Sequence, residues 1–257
     1  MKKYSFILIS LVAFTVNAQV DFKASVFGCR SDGITNNTAS IQTAIDLISE
    51  RGGGELHFYV GRYLTGTVSL KDNVYIVLHE GATLVGVPSA YDYAAPATGA
   101  PKGLIIAEGK HNCGVVGSLA NRMDTDVTGK GIIQGQGASV RKSIETQIAK
   151  GYLKGTVMEA SPAIVSFANC SDVKVTGLVL QGSANDVLVF TNCTNVEASR
   201  HLMESKEVAD SNGIVFSGCS NITASDNFFT ITGKPLKQGA GNKKVKTVGN
   251  KTKAGLL

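Results

Sequence analysis

The sequence predicts an all-β protein, a parallel β-helix, and its composition and an internal repeat indicate this fold. The chain has 257 residues, of which 43% are hydrophobic and 18% charged, enough to bury a core and too apolar for disorder. It contains 29 glycines, five prolines and no tryptophan. This balance favours short strands joined by tight turns.

The second half of the chain repeats a short segment in which a phenylalanine precedes a cysteine by three residues. The copies are Phe167–Cys170, Phe190–Cys193 and Phe216–Cys219. In every copy the positions five before and three after the cysteine are apolar, and a polar Ser/Thr-Asp/Asn pair follows the cysteine. One copy cannot bury its apolar face alone, whereas stacked copies can. The repeat therefore predicts a solenoid of short strands.

Weaker copies of the pattern occur elsewhere, at 71–76, 111–116 and 243–248. At roughly 23 to 30 residues per coil, the chain would hold about eight or nine coils.

The five cysteines do not predict a disulfide scaffold, because their number is odd and no short spacing occurs. Cys170, Cys193 and Cys219 would stack on neighbouring coils, slightly too far apart for an unstrained disulfide, as buried thiols. The sequon asparagines Asn169, Asn192 and Asn221 are interpreted as turn residues that bond their own backbone.

Two helical segments interrupt the strands. In the first, Asn37-Thr38 supplies a cap and Gly52-Gly53-Gly54 ends the helix. Its apolar face comprises Ile41, Ala44, Ile45 and Ile48, and we expect it to close the N-terminal end of the solenoid. The second, about 139–153, is predicted to be an insertion on the outside.

The N-terminus is typical of a secretory signal peptide over residues 1–18. Two lysines precede an apolar run at 4–16 that is too short to span a bilayer and ends in small residues. A membrane anchor is the alternative. We expect a secreted or periplasmic protein without a membrane span, with one domain over 19–257.

The end of the chain, 234–257, is basic. No acidic residue occurs after Asp226, whereas seven lysines lie between Lys234 and Lys253. This end could attract a polyanion, nucleic acid or acidic polysaccharide, or its lysines could keep an exposed sheet edge soluble. If the lysines leave the C-terminal end of the β-helix open, a homo-oligomer could form there.

Several motifs resemble those of pectin-degrading β-helix enzymes, in particular glycoside hydrolase family 28. They lie at 27–33, 36–38, 41–45, 52–54, 61–66, 70–74, 80–86 and 129–137, the last with Gln134 where the family has aspartate. The resemblance covers about residues 21 to 233. It implies a right-handed β-helix, a bacterial exported protein, a uronate-containing polysaccharide as substrate, and inverting hydrolysis without a metal or other cofactor.

The sequence departs from the family where the family keeps its catalytic residues. The place of the N-T-D-G motif holds Asp210-Ser211-Asn212-Gly213, and that of the G-D-D motif holds Gly233-Lys234-Pro235. No G-H-G or R-x-K motif follows. The resemblance therefore extends with security to the scaffold only.

Replacement groups are available for the chemistry. An inverting glycosidase needs one carboxylic acid and one carboxylate that activates water. Asp210 and Asp226 are the candidate pair. The cationic candidates for substrate binding would form charge-assisted bonds to uronate carboxylates. The five candidates for substrate binding are Arg200, His201, Asn212, Lys234 and Lys237. For His201, a solvated or core position is the alternative.

Two classes of function remain open. The chain is either a polygalacturonase-like hydrolase of acidic plant-type polysaccharide, or a non-catalytic or truncated relative that binds such a glycan. A calcium-dependent lyase would need a cluster of acids, which the sequence lacks. Nucleic-acid binding is disfavoured, because no known motif accompanies the basic end and the chain is expected to be exported.

Overall fold

A computed structural model of the protein describes residues 21–93, 102–118 and 130–257. The chain winds as a parallel β-helix in which each full coil contributes one strand to each of three sheets. The predicted signal peptide at 1–18 and Gly129 of the 129–137 motif lie outside the described residues.

Sheet 1 has eight parallel strands. They are β1 (Asp21–Lys23), β3 (Gly54–Phe58), β6 (Val74–Leu78), β9 (His111–Gly117), β12 (Ser171–Thr176), β15 (Thr194–Ser199), β18 (Ser220–Ser225) and β21 (Lys243–Val248). The weaker repeat copies around 71–76, 111–116 and 243–248 thus contribute β6, β9 and β21, as predicted.

Sheets 2 and 3 complete the coils. Sheet 2 comprises β2 (Asp32–Asn36), β4 (Gly61–Thr65), β7 (Ala82–Gly86), β10 (Ile132–Gln134), β13 (Val179–Gln181), β16 (Leu202–Ser205), β19 (Phe228–Ile231), β22 (Lys251–Thr252) and β23 (Gly255–Leu256). Sheet 3 comprises β5 (Val68–Ser69), β8 (Gly103–Glu108), β11 (Ala163–Ala168), β14 (Leu188–Thr191), β17 (Ile214–Ser217) and β20 (Leu236–Gln238). Among the described strands, only β22 and β23 pair antiparallel.

The phenylalanine repeat forms the core beneath sheet 3. Phe167, Phe190 and Phe216 are partners on β11, β14 and β17, and all three are fully buried. Their ring centroids lie 6.0 Å and 5.7 Å apart in sequence order. Stacking places the same apolar position of successive coils in contact, as the repeat predicts.

The corner between sheets 3 and 1 carries the stacked cysteines. All five cysteines are buried and free, so the predicted thiols are confirmed. Asn169 and Asn192 have left-handed backbone conformations, with φ of 56° and 52°. Nδ2 of Asn192 donates to Oδ1 of Asn169 at 3.3 Å, and Nδ2 of Asn221 donates to Oδ1 of Asn195 at 2.7 Å. The sequon asparagines are thus turn residues, as predicted, but their side chains bond across coils rather than to their own backbone.

Helix α1 (Thr38–Glu50) packs against the first coils and buries Ile41, Ala44, Ile45 and Ile48, as predicted. Its cap differs from the prediction. The backbone N–H of Thr38 bonds to Asn36, while the Asn37 side chain accepts from the backbone N–H of Arg30 at 2.8 Å. Asn37 therefore fixes the preceding turn rather than the helix end.

Two further α-helices stand between β10 and β11, namely α2 (Gly137–Ala149) and α3 (Val157–Ala160). Two short 3₁₀ helices span Ala24–Phe27 and Ala90–Asp92. Helix α2 buries only Gly137, Val140 and Ile144, and its other residues are at least partly exposed, which suits the predicted insertion. None of the described helices is long and apolar enough to cross a membrane.

The basic end of the chain is part of the β-helix. Residues 236–256 form β20 to β23, which stack on the preceding coil through pairings with β17, β18 and β19. Most side chains of β21 are exposed, including Lys243, Lys244 and Lys246. Self-association through this end stays a prediction.

Candidate functional site

A cleft of about 830 Å³ lies along the corner between sheets 2 and 3. Its lining comprises Lys102, Met158, Glu159, Ser161, Ala163, Ser166, Asn185, Asp186, Val189, Asp210, Asn212, Thr232, Gly233, Lys234 and Lys237. These residues belong to the segments that lead into β8, β11, β14, β17 and β20, or to the strands themselves. The cleft therefore runs along the axis of the β-helix.

A ladder of polar groups crosses three coils in the middle of the cleft. Oδ1 of Asp186 accepts hydrogen bonds from the Asn212 backbone N–H at 3.0 Å and from Nδ2 of Asn212 at 2.6 Å. Oδ1 of Asn212 accepts in turn from the backbone N–H of Lys234 at 3.0 Å. Asp186, Asn212 and Lys234 therefore occupy equivalent places on successive coils.

Parallel backbone pairing fixes this register. The N–H of Val187 bonds to the carbonyl of Asn212 at 2.8 Å, and the N–H of Gly213 bonds to the carbonyl of Lys234 at 2.9 Å. A Cβ at Gly213 would overlap the Pro235 carbonyl oxygen, so the turn after Asn212 requires glycine. The Asp186 carboxylate thus has a position set by regular β-structure on both sides.

Asp210 is the second carboxylate in this part of the cleft. It has a left-handed backbone conformation with φ of 61°, and its carbonyl accepts from Nδ2 of Asn212 at 3.3 Å. The Asn212 amide therefore contacts both aspartate residues, through the side chain of Asp186 and the backbone of Asp210. Asn212 is only 8% exposed and its polar side-chain atoms are all engaged.

Two lysines flank the carboxylates at the C-terminal end of the cleft. Lys237 lies on β20 in register with Val215 of β17, and Lys234 precedes that strand. Both residues are exposed. Among the described residues, neither ammonium group forms an ion pair with a carboxylate. Both groups are therefore available to an anionic ligand.

The structure brings together four of the seven residues that the sequence suggested. Asp210, Asn212, Lys234 and Lys237 all line the cleft. Of these, Asn212 holds other protein groups instead of presenting a free amide.

The other three residues lie at a different corner, between sheets 1 and 2. Arg200 and Asp226 occupy equivalent left-handed positions with φ of 58° and 57°, on successive coils joined by the bond from Arg200 N–H to the Ser225 carbonyl. Arg200 also lies 3.8 Å from Glu197. Asp226 does not line the cleft and is not brought to Asp210.

His201 is buried at this second corner, with 2% of its surface exposed. Its Nδ1 accepts from the Leu178 backbone N–H at 3.3 Å, and its Nε2 donates to the Val175 carbonyl at 2.9 Å. Burial lowers the pKa of His201 to about 4, so the ring is neutral at pH 7. The structure thus matches the alternative given for this residue, a satisfied core histidine.

Asp186 is the residue that the sequence interpretation missed. The signal that could have found it is the coil repeat, because Asp186 precedes Asn212 by 26 residues, the same interval that separates Cys193 from Cys219. Residues at one repeat distance stack on adjacent coils. Counting back from Asn212 by one coil would have placed Asp186 in the cleft.

The described residues contain no group of three or more His, Cys, Asp or Glu side chains that could hold a metal ion.

Comparison with known families gives this geometry its context. The sequence profile of the glycosyl hydrolases family 28 matches residues 107–255, more than half of the chain. The chain belongs to glycoside hydrolase family 28. This match includes the whole polar ladder of the cleft and all strands from β11 to β22.

Sequence relatives of this family 28 protein include a galacturonosidase and a probable polygalacturonase. It is 24% identical over 253 residues to an exo-poly-alpha-D-galacturonosidase of Dickeya chrysanthemi and 29% identical over 163 residues to a probable polygalacturonase of Vitis vinifera. These matches cover 84% and 61% of this chain but only 41% and 31% of the relatives. The chain thus spans less than half the length of either relative.

Among solved structures, a candidate glycosyl hydrolase of Parabacteroides merdae is 38% identical, with a TM-score of 0.83 over 92% of this chain and 99% of the other. The family 28 exopolygalacturonase of Yersinia enterocolitica superposes with a TM-score of 0.77 at 21% identity, over 91% of this chain and 49% of the other. These superpositions confirm the predicted fold, a right-handed parallel β-helix with an N-terminal capping helix.

Proposed function

We propose that this family 28 protein hydrolyses glycosidic bonds of a uronate-containing, pectin-type polysaccharide in the cleft between sheets 2 and 3. The observation that carries the proposal is that Asp186 and Asp210 lie with Lys234 and Lys237 in one cleft. A hydrolase needs the two carboxylates, and an acidic glycan needs the cations.

Asp186 suits the role of the base that activates water. Its Oδ1 is held by two N–H groups of Asn212, which fixes the orientation of the carboxylate. Its other oxygen, Oδ2, accepts no bond from the described residues and is free for a water molecule. Asp210 would then protonate the leaving oxygen, as inverting hydrolysis requires two carboxyl groups with separate roles.

The lysines supply recognition of the acidic sugar. Lys234 and Lys237 are exposed on the C-terminal side of the carboxylates. An ammonium group forms short, charge-assisted hydrogen bonds with a carboxylate such as that of a uronate ring. The similarity to an exo-poly-alpha-D-galacturonosidase of Dickeya chrysanthemi and a probable polygalacturonase of Vitis vinifera supports a galacturonate polymer as the substrate class.

The test is turnover of polygalacturonate and rhamnogalacturonan by the purified full chain, measured as released reducing ends. Absorbance of unsaturated products is recorded in parallel, because a lyase would generate them and a hydrolase would not. Asp186→Asn and Asp210→Asn should each lower the rate by at least about 100-fold. Asp226→Asn is the matched control and should retain the full rate, because Asp226 lies at another corner.

A second candidate is a non-catalytic protein that binds the same glycan. The observation that favours it is the pair of replacements in the family motifs, Asn212 and Lys234-Pro235 in place of aspartates. In that case the wild-type chain would release no reducing ends, yet would bind polygalacturonate with an affinity that falls as salt is added.

We also propose export. The apolar run at 4–16 after two lysines supports a cleaved signal peptide. Mass spectrometry of the protein from a culture supernatant or periplasm should give a mature chain that begins near Gln19. A chain retained in cells with Met1 intact would contradict export.

A further inference from the structure

The cleft has a third lysine at its opposite end. Lys102 stands immediately before β8 and lines the same cleft as Lys234 and Lys237. Sheet 3 runs in the order β8, β11, β14, β17, β20. Because neighbouring strands lie about 4.8 Å apart, β8 and β20 are separated by four spacings, or about 19 Å.

The two carboxylates lie between the lysines. Asp186 leads into β14, two strands from β8 and two from β20, and Asp210 lies in the segment before β17. Glu159, in the segment that leads into β11, also lies between the lysines, so the charged residues along the axis run from Lys102 through the three acids to Lys234 and Lys237. A chain of uronates laid along the cleft would place carboxylates against cations on both sides of the acidic centre.

The surroundings of Lys102 leave its charge usable. Its Nζ donates to the backbone carbonyl of Glu159 at 2.9 Å, which anchors the ammonium group and leaves two N–H groups for a ligand. The Glu159 carboxylate also lines the cleft, but its Oε2 accepts from the backbone N–H and the hydroxyl of Thr156 at 2.9 and 3.0 Å. Hydrogen bonds from Thr156 lower the pKa of Glu159.

We propose that Lys102 forms a second uronate-binding position, across the carboxylates from Lys234 and Lys237. The preferred ligand is then an internal stretch of an acidic polysaccharide that extends on both sides of the centre, rather than one chain end. This inference rests on the proposed function, since it assumes an acidic glycan in the cleft. Because Glu159 limits the net charge nearby, the contribution of Lys102 is a directed hydrogen bond more than a long-range attraction.

The experiment measures binding of galacturonate oligomers, from dimer to hexamer, by calorimetry. Every protein in the series is the full chain with Asp210→Asn, so that the oligomers are not hydrolysed during the titration, and wild type here means that Lys102 is intact. Wild-type affinity should rise with oligomer length until the ligand reaches Lys102. Lys102→Ala should weaken hexamer binding about tenfold and leave dimer binding unchanged. Lys102→Arg should restore part of the loss. Lys246→Ala removes the same charge from an exposed position on sheet 1 and is the matched control. It should change neither dimer binding nor hexamer binding.

Each outcome separates the two proposals. If Lys102→Ala weakens the dimer and the hexamer equally, or changes neither, the second binding position does not exist and the proposed function stands. If the wild-type chain binds no oligomer of any length, the proposed substrate class is wrong and the inference falls with it.

Discussion

Asn212 holds Asp186 through two hydrogen bonds to one carboxylate oxygen, of 2.6 Å from Nδ2 and 3.0 Å from the backbone N–H. The family places an aspartate of its N-T-D-G motif at the position of Asn212. An aspartate there would set a second carboxylate against Asp186. Two carboxylates at this separation cannot both ionise without a large cost. An ionised Asp186 therefore requires a hydrogen-bond donor such as the Asn212 amide at this position.

Asn212→Asp should therefore destabilise the fold most at high pH. The new pair would bind a proton more tightly in the folded chain than in the unfolded chain, so its pKa would be raised. Stability then falls as pH rises through that folded pKa. Urea unfolding should show a loss of about 2 kcal/mol at pH 8 and a smaller loss at pH 5.

A matched control exists on the surface of sheet 1. Nδ2 of Asn195 donates to Oδ1 of Asp172 at 2.8 Å in an exposed pair. Asn195→Asp should cost less than about 1 kcal/mol because water screens the two charges. Equal losses in the two variants would contradict the special role of the cleft pair.

His201 should make the protein sensitive to acid. Its pKa is about 4 in the folded chain against 6.5 for an ordinary histidine, because burial disfavours the charged ring. The unfolded chain therefore binds the proton first, and stability falls as pH drops below 6.5. A shift of one pKa unit corresponds to about 1.36 kcal/mol. Protonation of this residue should therefore lower the free energy of unfolding by about 2 kcal/mol between pH 7.5 and pH 5.

The neighbouring coils suggest the replacement that removes this sensitivity. Asn227 and Asn250 follow His201 at the same corner, and each donates from Nδ2 to the backbone of a preceding coil. His201→Asn should extend this asparagine ladder and flatten the dependence of unfolding free energy on pH. The wild-type chain, unfolded over the same pH range, is the control. An unchanged slope in His201→Asn would contradict the assignment.

Phe190 should be a large contributor to stability. It is fully buried between Phe167 and Phe216, with ring centroids 6.0 and 5.7 Å away. Phe190→Ala should lower the free energy of unfolding by about 3–5 kcal/mol, because it leaves a cavity within three coils. Thr191→Ala, on the outward face of the same strand, should cost less than about 1 kcal/mol. Comparable losses of unfolding free energy in the two variants would mean that the phenylalanine stack contributes no more to stability than an outward-facing residue.

The fold was predictable because sheets 1 and 3 repeat with a nearly constant interval. Phe167, Phe190 and Phe216 mark one side of each coil, and the cysteines three residues later mark the corner. A solenoid makes the same position of every coil meet its neighbour, so a repeat in sequence becomes a contact in space. The N-terminal capping helix was predictable from its apolar face for a similar reason.

The site was predictable only in part because its corner varies in length. The segments before β14, β17 and β20 cover 182–187, 206–213 and 232–235, so they contain six, eight and four residues. The alternation of apolar and polar residues within strands does not reveal the register across such segments. It also does not show at which corner a turn residue lies. The sequence therefore groups Asp226 with Asp210, although the two lie at different corners, and strand alternation gives no indication of Asp186.

Lys237 should contribute directed affinity for an acidic glycan. It projects from β20 into the cleft at an exposed position beside Lys234. Lys237→Glu should weaken binding of galacturonate oligomers by at least about tenfold at low salt, because it removes a charge-assisted bond and adds a repulsion. The difference from wild type should shrink as salt is added. Lys243→Glu makes the same charge change on β21, outside the cleft, and should reduce affinity by less than about twofold. Equal losses in both variants would show that the glycan responds to net charge and not to the cleft.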